Sequence, residues 1–184
     1  ALTTIADDHS THAGYNGGAG LDSGDILRYD TTYAGFGISA SIAQSDVAVA
    51  NDVIAYGVTT TLGTVAVSAA FQDNNTQDIT AVSAKTTVGG LGMTVNYSEA
   101  SMGTAATSYE HSGFGLNYTM SGVNLHANYG SFDFDNGTSA DGFGLAANYG
   151  LGGGATVMVG YGNGNARNAT ADVSTFSVGL GLSF

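Results

Sequence analysis

The chain has 184 residues, among them 29 glycines and no proline, cysteine or tryptophan. Its 15 acidic and 3 basic side chains give a formal net charge of -12 at pH 7, which argues against nucleic acid as a partner because that binding relies on lysine and arginine. The absence of cysteine excludes a disulfide framework and a thiolate metal site. Charged residues make up only 10% of the chain, against about 25% in soluble domains, so we expect part of the surface to face something other than water.

The amino-terminal stretch ALTTIADDHS does not resemble the apolar region of a secretory signal. No window of the chain approaches the ~18–20 consecutive apolar residues that a transmembrane helix needs. The chain is therefore either soluble or crosses a membrane as strands. The same stretch continues into STH and places His9 and His12 beside Asp7 and Asp8. These are candidate ligands for a divalent cation, but no helix or strand fixes their geometry, so a solvated loop is the simpler interpretation.

A second candidate metal site follows at GGAGLDSGD, residues 17–25. This stretch matches the first part of a calcium-binding nonapeptide, although only one copy is present and such repeats bind calcium between stacked coils. A turn-rich loop is therefore the simpler interpretation. Asp22 and Asp25 could still hold calcium loosely together with other loop oxygens.

From Asp25 onward one unit recurs: a strand, a very short turn, a second strand and a longer polar loop. The stretch GLAANYGLGGGATVMVGYG shows the pattern, because its flanks alternate with period two on both sides of the glycines. A phosphate-binding loop is disfavoured there, since ATVMVGY would not begin a helix. The strict alternation of short and long connections indicates an up-and-down antiparallel meander. The eleven predicted strands lie near residues 25–33, 36–44, 52–61, 64–72, 78–88, 91–99, 107–119, 122–132, 140–149, 154–163 and 172–184.

The two faces of the predicted strands differ in character. One face is aliphatic and aromatic, and the other is small and polar, with amide and imidazole groups at Asn96, Asn117, Asn124, His126, Asn128 and Asn148. Tyrosines occur near both strand ends, before long loops at Tyr97, Tyr129 and Tyr161 and before short turns at Tyr33, Tyr118 and Tyr149. Two aromatic rows with aliphatic residues between them are typical of a transmembrane β-barrel, whereas a soluble sandwich concentrates its aromatics in mid-strand. The prediction is an all-β transmembrane barrel, closed so that no strand edge meets lipid.

The sequence resembles the Gram-negative general diffusion porins, in particular their alphaproteobacterial branch, over essentially its whole length. The resemblance is carried by GDILRYDTTYAGFGISASIAQSD, by YGLGGGATVMVGYG and by the final strand VSTFSVGLGLSF. It implies that Phe184 is the barrel-assembly signal and that the protein lies in the outer membrane of a Gram-negative bacterium. It also implies contact with the lipid bilayer and lipopolysaccharide, and a homotrimer.

Porins of this type have sixteen strands, and a long third loop folds into the pore. The resemblance therefore implies that the eleven strands of residues 25–184 are strands 6–16, in one domain, and that residues 1–24 are the latter part of that loop. Acidic groups on the loop of such porins face basic groups on the barrel wall. The matching positions at the pore constriction are Asp7, Asp8, Arg28, Asp30 and Lys85. Arg28 and Asp30 share a face, so these two could simply neutralise each other.

The predicted function is a water-filled channel for passive diffusion of small hydrophilic solutes and ions. We expect His126 to be a hydrating wall residue and not a metal ligand. No enzyme is predicted, because no serine has a histidine and an aspartate placed to activate it. One alternative is a non-conducting barrel that serves as a membrane anchor or adhesin. Another is a soluble calcium-binding β-sheet protein, which would need tandem nonapeptides.

The excess of acidic residues further predicts that the channel prefers cations, because a mouth lined by one sign of charge concentrates counter-ions. No cofactor is expected apart from loosely bound calcium. The carboxylates expected to contribute, mostly in loops, are Asp7, Asp8, Asp46, Asp52, Asp73, Asp78, Asp133, Asp135 and Asp141.

Overall fold

The computed structural model describes residues 26–44, 52–165 and 171–183. Within these ranges no helix has the length and apolar character to cross a membrane. The described residues form eleven β-strands: β1 (Ile26–Tyr33), β2 (Phe36–Ala43), β3 (Val53–Leu62), β4 (Val65–Asp73), β5 (Asp78–Val88), β6 (Leu91–Ser101), β7 (Tyr109–Met120), β8 (Val123–Phe134), β9 (Ser139–Gly152), β10 (Ala155–Gly164) and β11 (Val173–Leu182).

A single sheet contains all of these strands, and each strand pairs with the next in chain order from β1 to β11. Every pairing is antiparallel, which confirms the predicted meander. The predicted strand limits agree with the structure to within three residues. The largest difference is at β9, which continues to Gly152 because the pairing with β10 shifts register between Ala155 and Thr156.

The five short connections are two-residue turns at residues 34–35, 63–64, 89–90, 121–122 and 153–154. Four of them have positive φ at both positions, as at Gly89 (58°) and Gly90 (84°). This is the backbone of the type I′ turn, whose twist matches that of the flanking strands. Ala34 and Ser121 adopt the same conformation without being glycine, at 49° and 51°. The turns therefore set the register of five hairpins locally.

The register defines two faces of the sheet. Val95 lies opposite Phe114, and Phe114 lies opposite Tyr129; we call their side the outer face. The opposite side, which carries Asn96 and Asn117, is the inner face. On the outer face Val95 and Phe114 are 48% and 43% exposed, whereas the buried strand residues, His111 at 0% among them, all lie on the inner face. This is the reverse of a soluble antiparallel sheet, whose apolar face packs on a core.

Candidate functional site: the inner face of the sheet

The candidate site is a strip of uncharged polar groups on the inner face of β6 to β9. The structure places all six predicted wall residues there, at Asn96, Asn117, Asn124, His126, Asn128 and Asn148. Asn117 lies opposite His126, and Asn124 lies opposite Asn148. The hydroxyl of Thr119 donates to Oδ1 of Asn124 at 2.6 Å. The strip offers donors and acceptors to water without a net charge.

Several polar side chains of the inner face lie over a glycine of the neighbouring strand. Asn96 covers Gly113, and a Cβ built on Gly113 would collide with the amide oxygen of Asn96. Asn117 covers Gly92 in the same way. Such an arrangement needs a glycine directly opposite, because any larger residue would occupy the space of the amide. These side chains therefore lie along the wall and do not project from it.

Replacing Gly113 with alanine is expected to lower the free energy of unfolding by about 1 kcal/mol, because the new methyl group must displace the side chain of Asn96 and contacts the buried ring of His111. Urea unfolding of the detergent-solubilised protein measures this cost. Gly150→Ala is the matched control, since a Cβ at Gly150 has no atom within 4 Å. Adding Asn96→Ala to Gly113→Ala should recover most of the loss. Equal costs for Gly113→Ala and Gly150→Ala would contradict the arrangement.

The two strand-borne cations of the predicted constriction lie on the inner face but far apart. Arg28 is on β1 and Lys85 is on β5, four strand spacings of about 4.8 Å away. The register also places Arg28 level with Ile79, six residues from Lys85 at about 3.4 Å each, so the two cations are well over ~19 Å apart along the sheet. Arg28 and Asp30 form an ion pair, with the Nη2 to Oδ1 distance at 2.8 Å. Both groups are more than half exposed, so this pair contributes little to stability. It leaves little net charge at β1, whereas Lys85 is exposed on the inner face.

The loop end of the inner face is apolar, which the sequence analysis missed. Ala43, Val53, Ile79 and Ala100 are buried there and form one cluster. Next to it are four rings, at Tyr109, His111, Phe132 and Phe134. The ring centroids of Tyr109 and Phe132 are 5.1 Å apart, and those of His111 and Phe132 are 4.5 Å apart. The signal in the sequence is the alternation in GSFDFDNG, where the two phenylalanines share the parity of the polar wall.

At the loop end the outer face changes from apolar to charged. Glu110 lies directly between Glu99 and Asp133 on the neighbouring strands. Like charges opposite one another are destabilising, and carboxylates facing hydrocarbon are costly, so this end of the outer face is in contact with water. The sequence predicts that most of the carboxylates named above for cation preference lie in loops. The structure places four of them in strands, at Asp73, Asp78, Asp133 and Asp141.

Part of the predicted site lies outside the described residues: Asp7, Asp8, Asp22, Asp25, Asp46 and Phe184. The roles assigned to them stay predictions: pore constriction, calcium binding, the electrostatic field at the channel mouth and the barrel-assembly signal. Among the residues that the structure describes, no group of three or more histidine or acidic side chains could hold a metal ion. The strip of amides and hydroxyls is therefore the site that the described residues form.

An apolar exposed face and a polar inner face on one long antiparallel meander define the class of transmembrane β-barrel proteins. A family profile described as Gram-negative porin matches residues 1–169. The chain therefore belongs to the Gram-negative porin family, and it lies in the outer membrane. The family is one of porins and not of enzymes.

Solved structures of the same fold are similar to the chain at low sequence identity. They include a porin refined at 1.8 Å resolution (19% identity, 86% of this chain covered, TM-score 0.70). They also include the in-vitro folded trimer form of OmpT, an outer membrane protein of Vibrio cholerae (16%, 87%, 0.66). An anion-selective porin from Comamonas acidovorans is also similar, with 12% identity, 88% of this chain covered and a TM-score of 0.64. The matched regions are 61%, 64% and 60% of those three chains. No curated protein matches in sequence.

Proposed function

We propose that the protein forms a water-filled channel for passive diffusion of small hydrophilic solutes and ions. The observation that carries this proposal is the contrast between the two faces, with exposed valine, phenylalanine and tyrosine outside and asparagine, serine and glycine inside. A barrel with this pattern presents hydrocarbon-compatible groups to lipid and hydrogen-bonding groups to its lumen. The lumen groups exchange hydrogen bonds with water and with a hydrated solute at similar energies, so solutes pass without tight binding.

The proposal is tested by adding the purified protein to planar lipid bilayers. Stepwise increases in conductance are expected, together with faster swelling of liposomes in small sugars. Folding is checked separately by the strand signal in circular dichroism. Correctly folded protein that leaves bilayers silent would overturn the proposal and favour the anchor or adhesin alternative.

We further propose that the channel prefers cations. The formal charge of -12 over the whole chain supports this preference, since a surface of one sign attracts counter-ions into a confined mouth. The fold by itself does not decide the sign, because a similar barrel is described as anion-selective. Charges on the inner face and at the mouth are therefore what would set the preference.

Cation preference is expected to fall as salt rises, because the Debye length shrinks from about 30 Å at 0.01 M to about 3 Å at 1 M. The reversal potential across a tenfold gradient of potassium chloride measures it. At low ionic strength we expect a reversal potential with the sign that selective permeation of potassium produces. At high ionic strength we expect a value near zero. Anion preference at low salt would show that other charges outweigh those of this sequence.

We propose in addition that the eleven strands belong to a larger closed barrel of sixteen strands, with residues 1–24 in a pore loop. Among the described residues β1 and β11 each pair along one edge only, and an unpaired strand edge in lipid is costly. We also propose contact with the bilayer and lipopolysaccharide, and assembly as a homotrimer, which the trimer form of the similar OmpT structure supports. The intact mass of the native polypeptide tests the larger barrel, and the native mass of the complex tests the homotrimer. A native polypeptide no heavier than 18.4 kDa would instead require closure between copies.

A further inference from the structure

The connection between β6 and β7, residues 102–108, lies on the apolar part of the inner face. Met102 has the same parity as Ala100 and lies just beyond the end of β6. Met102 and Tyr109, which flank the connection, both pack against the buried cluster of Ala43, Val53, Ile79 and Ala100. Since every member of that cluster is on the inner face, the connection turns over the inner wall where it leaves β6.

Hydrogen bonds within the connection hold it in one compact shape. The amide of Ser108 donates to the carbonyl of Thr104 at 2.8 Å. In return, Oγ of Ser108 accepts a hydrogen bond from the amide of Met102 at 2.9 Å. The hydroxyl of Thr107 donates to the carbonyl of Met102 at 3.1 Å. Ser108 is only 6% exposed, so its own hydrogen bonds are shielded from water and restrict the motion of the segment, whereas that of Thr107 is exposed.

The connection is also hydrogen-bonded to a neighbouring loop. The amide of Asn136, in the β8–β9 loop, donates to the carbonyl of Ala105 at 3.0 Å. The amide of Asp135 donates to the carbonyl of Ser108 at 3.1 Å. On the other side, a Cβ built on Gly103 would lie 3.9 Å from the carbonyl oxygen of Thr76 in the β4–β5 loop. The connection is thus joined to the β8–β9 loop and lies beside the β4–β5 loop.

The segment carries no charge. Residues 102–108 read MGTAATS, and the hydrogen bonds that the segment makes to the β8–β9 loop are between backbone atoms. The carboxylates nearest in the chain, Glu99 and Glu110, are on the outer face. Any effect of the segment on a solute at the mouth is therefore steric.

We propose that residues 102–108 form a fixed, uncharged ledge that narrows the loop-end mouth of the channel and limits the size of solutes without affecting ion preference. The proposal rests on the proposed channel function. Met102 packs on the buried cluster at one end of the segment and Ser108 is buried at the other, while residues 103–107 between them are exposed. These two anchors and the hydrogen bonds to the β8–β9 loop distinguish the segment from a mobile lid. The solutes affected are neutral and charged molecules alike, according to their cross-section.

The test replaces residues 102–107 by Asn-Gly. Residues 101 and 108 then flank a two-residue turn, so the pairing of Ala100 with Tyr109 is kept. We expect a larger single-channel conductance and passage of larger neutral polymers, with an unchanged reversal potential. Circular dichroism and heat-dependent mobility on a gel confirm that the variant is folded. Unchanged conductance and polymer cut-off, or a shifted reversal potential, would overturn the ledge.

A cysteine pair separates a fixed ledge from a gate without shortening the chain. The sequence contains no cysteine, so Ala105→Cys with Asn136→Cys introduces a single pair at a position where the two backbones already share a hydrogen bond. We expect equal conductance before and after reduction of the disulfide. Conductance that changes on reduction would show a moving segment and overturn the fixed ledge. A wild-type protein that does not conduct at all would refute the channel itself, which is a different result from either outcome.

Discussion

Replacing Val95 with lysine is expected to cost about 2–4 kcal/mol of stability in a bilayer, because the ammonium group would face hydrocarbon near mid-membrane. Val95 is 48% exposed on the outer face, between Tyr97 and Met93 of the same strand. The measurement is the unfolding free energy in lipid vesicles, followed by tyrosine fluorescence during urea titration. Poor assembly into membranes is expected for the same reason.

Thr94→Lys provides the matched control, since Thr94 is the preceding residue of β6 and faces the other side of the sheet. Its ammonium group would meet the water of the lumen, so the expected change in stability is small. Equal losses for the two variants would contradict the assignment of the faces.

Replacing Lys85 with glutamate is expected to increase cation preference, by about twofold or more at low ionic strength. Lys85 is exposed on the inner face of β5, opposite Thr94 on one side and Ala66 on the other. The substitution changes the charge of the inner wall by two units in a confined space. Reversal potentials measure the permeability ratio, and the effect should disappear near 1 M salt, where the Debye length is about 3 Å.

Two single-charge variants separate the lumen from the outer surface. Lys85→Gln should shift the permeability ratio in the same direction by a smaller amount. Glu110→Gln also changes one charge, but Glu110 lies on the outer face, so we expect little effect on the ratio. A larger shift for Glu110→Gln than for Lys85→Gln would show that the outer carboxylates, and not the inner wall, set the ion preference.

Most of the strand pattern could be predicted from the sequence because it is encoded locally. Alternation with period two assigns a face to each side chain, and Gly89-Gly90 and Ser121-Gly122 supply the positive φ that two-residue turns require. The common face of Asn117 and His126 follows from the same parity. The prediction of a uniformly polar inner face is wrong at the loop end. There the alternation continues, but the apolar side chains are on the inner face and the charged ones on the outer face. Beyond Tyr129, Phe132 is on the inner face and Asp133 is on the outer face, since the outer surface there meets water.

By itself the sequence determined an all-β meander of eleven strands with one apolar face, because period-two patterns and glycine turns act over a few residues. Only the tertiary structure decided which residues of different strands meet. The placement of Asn96 over Gly113 depends on the register between β6 and β7. The packing of Met102 on the apolar cluster depends on strands that are distant in sequence. Such contacts are fixed by how the whole sheet is assembled, and no local pattern in the chain carries that information.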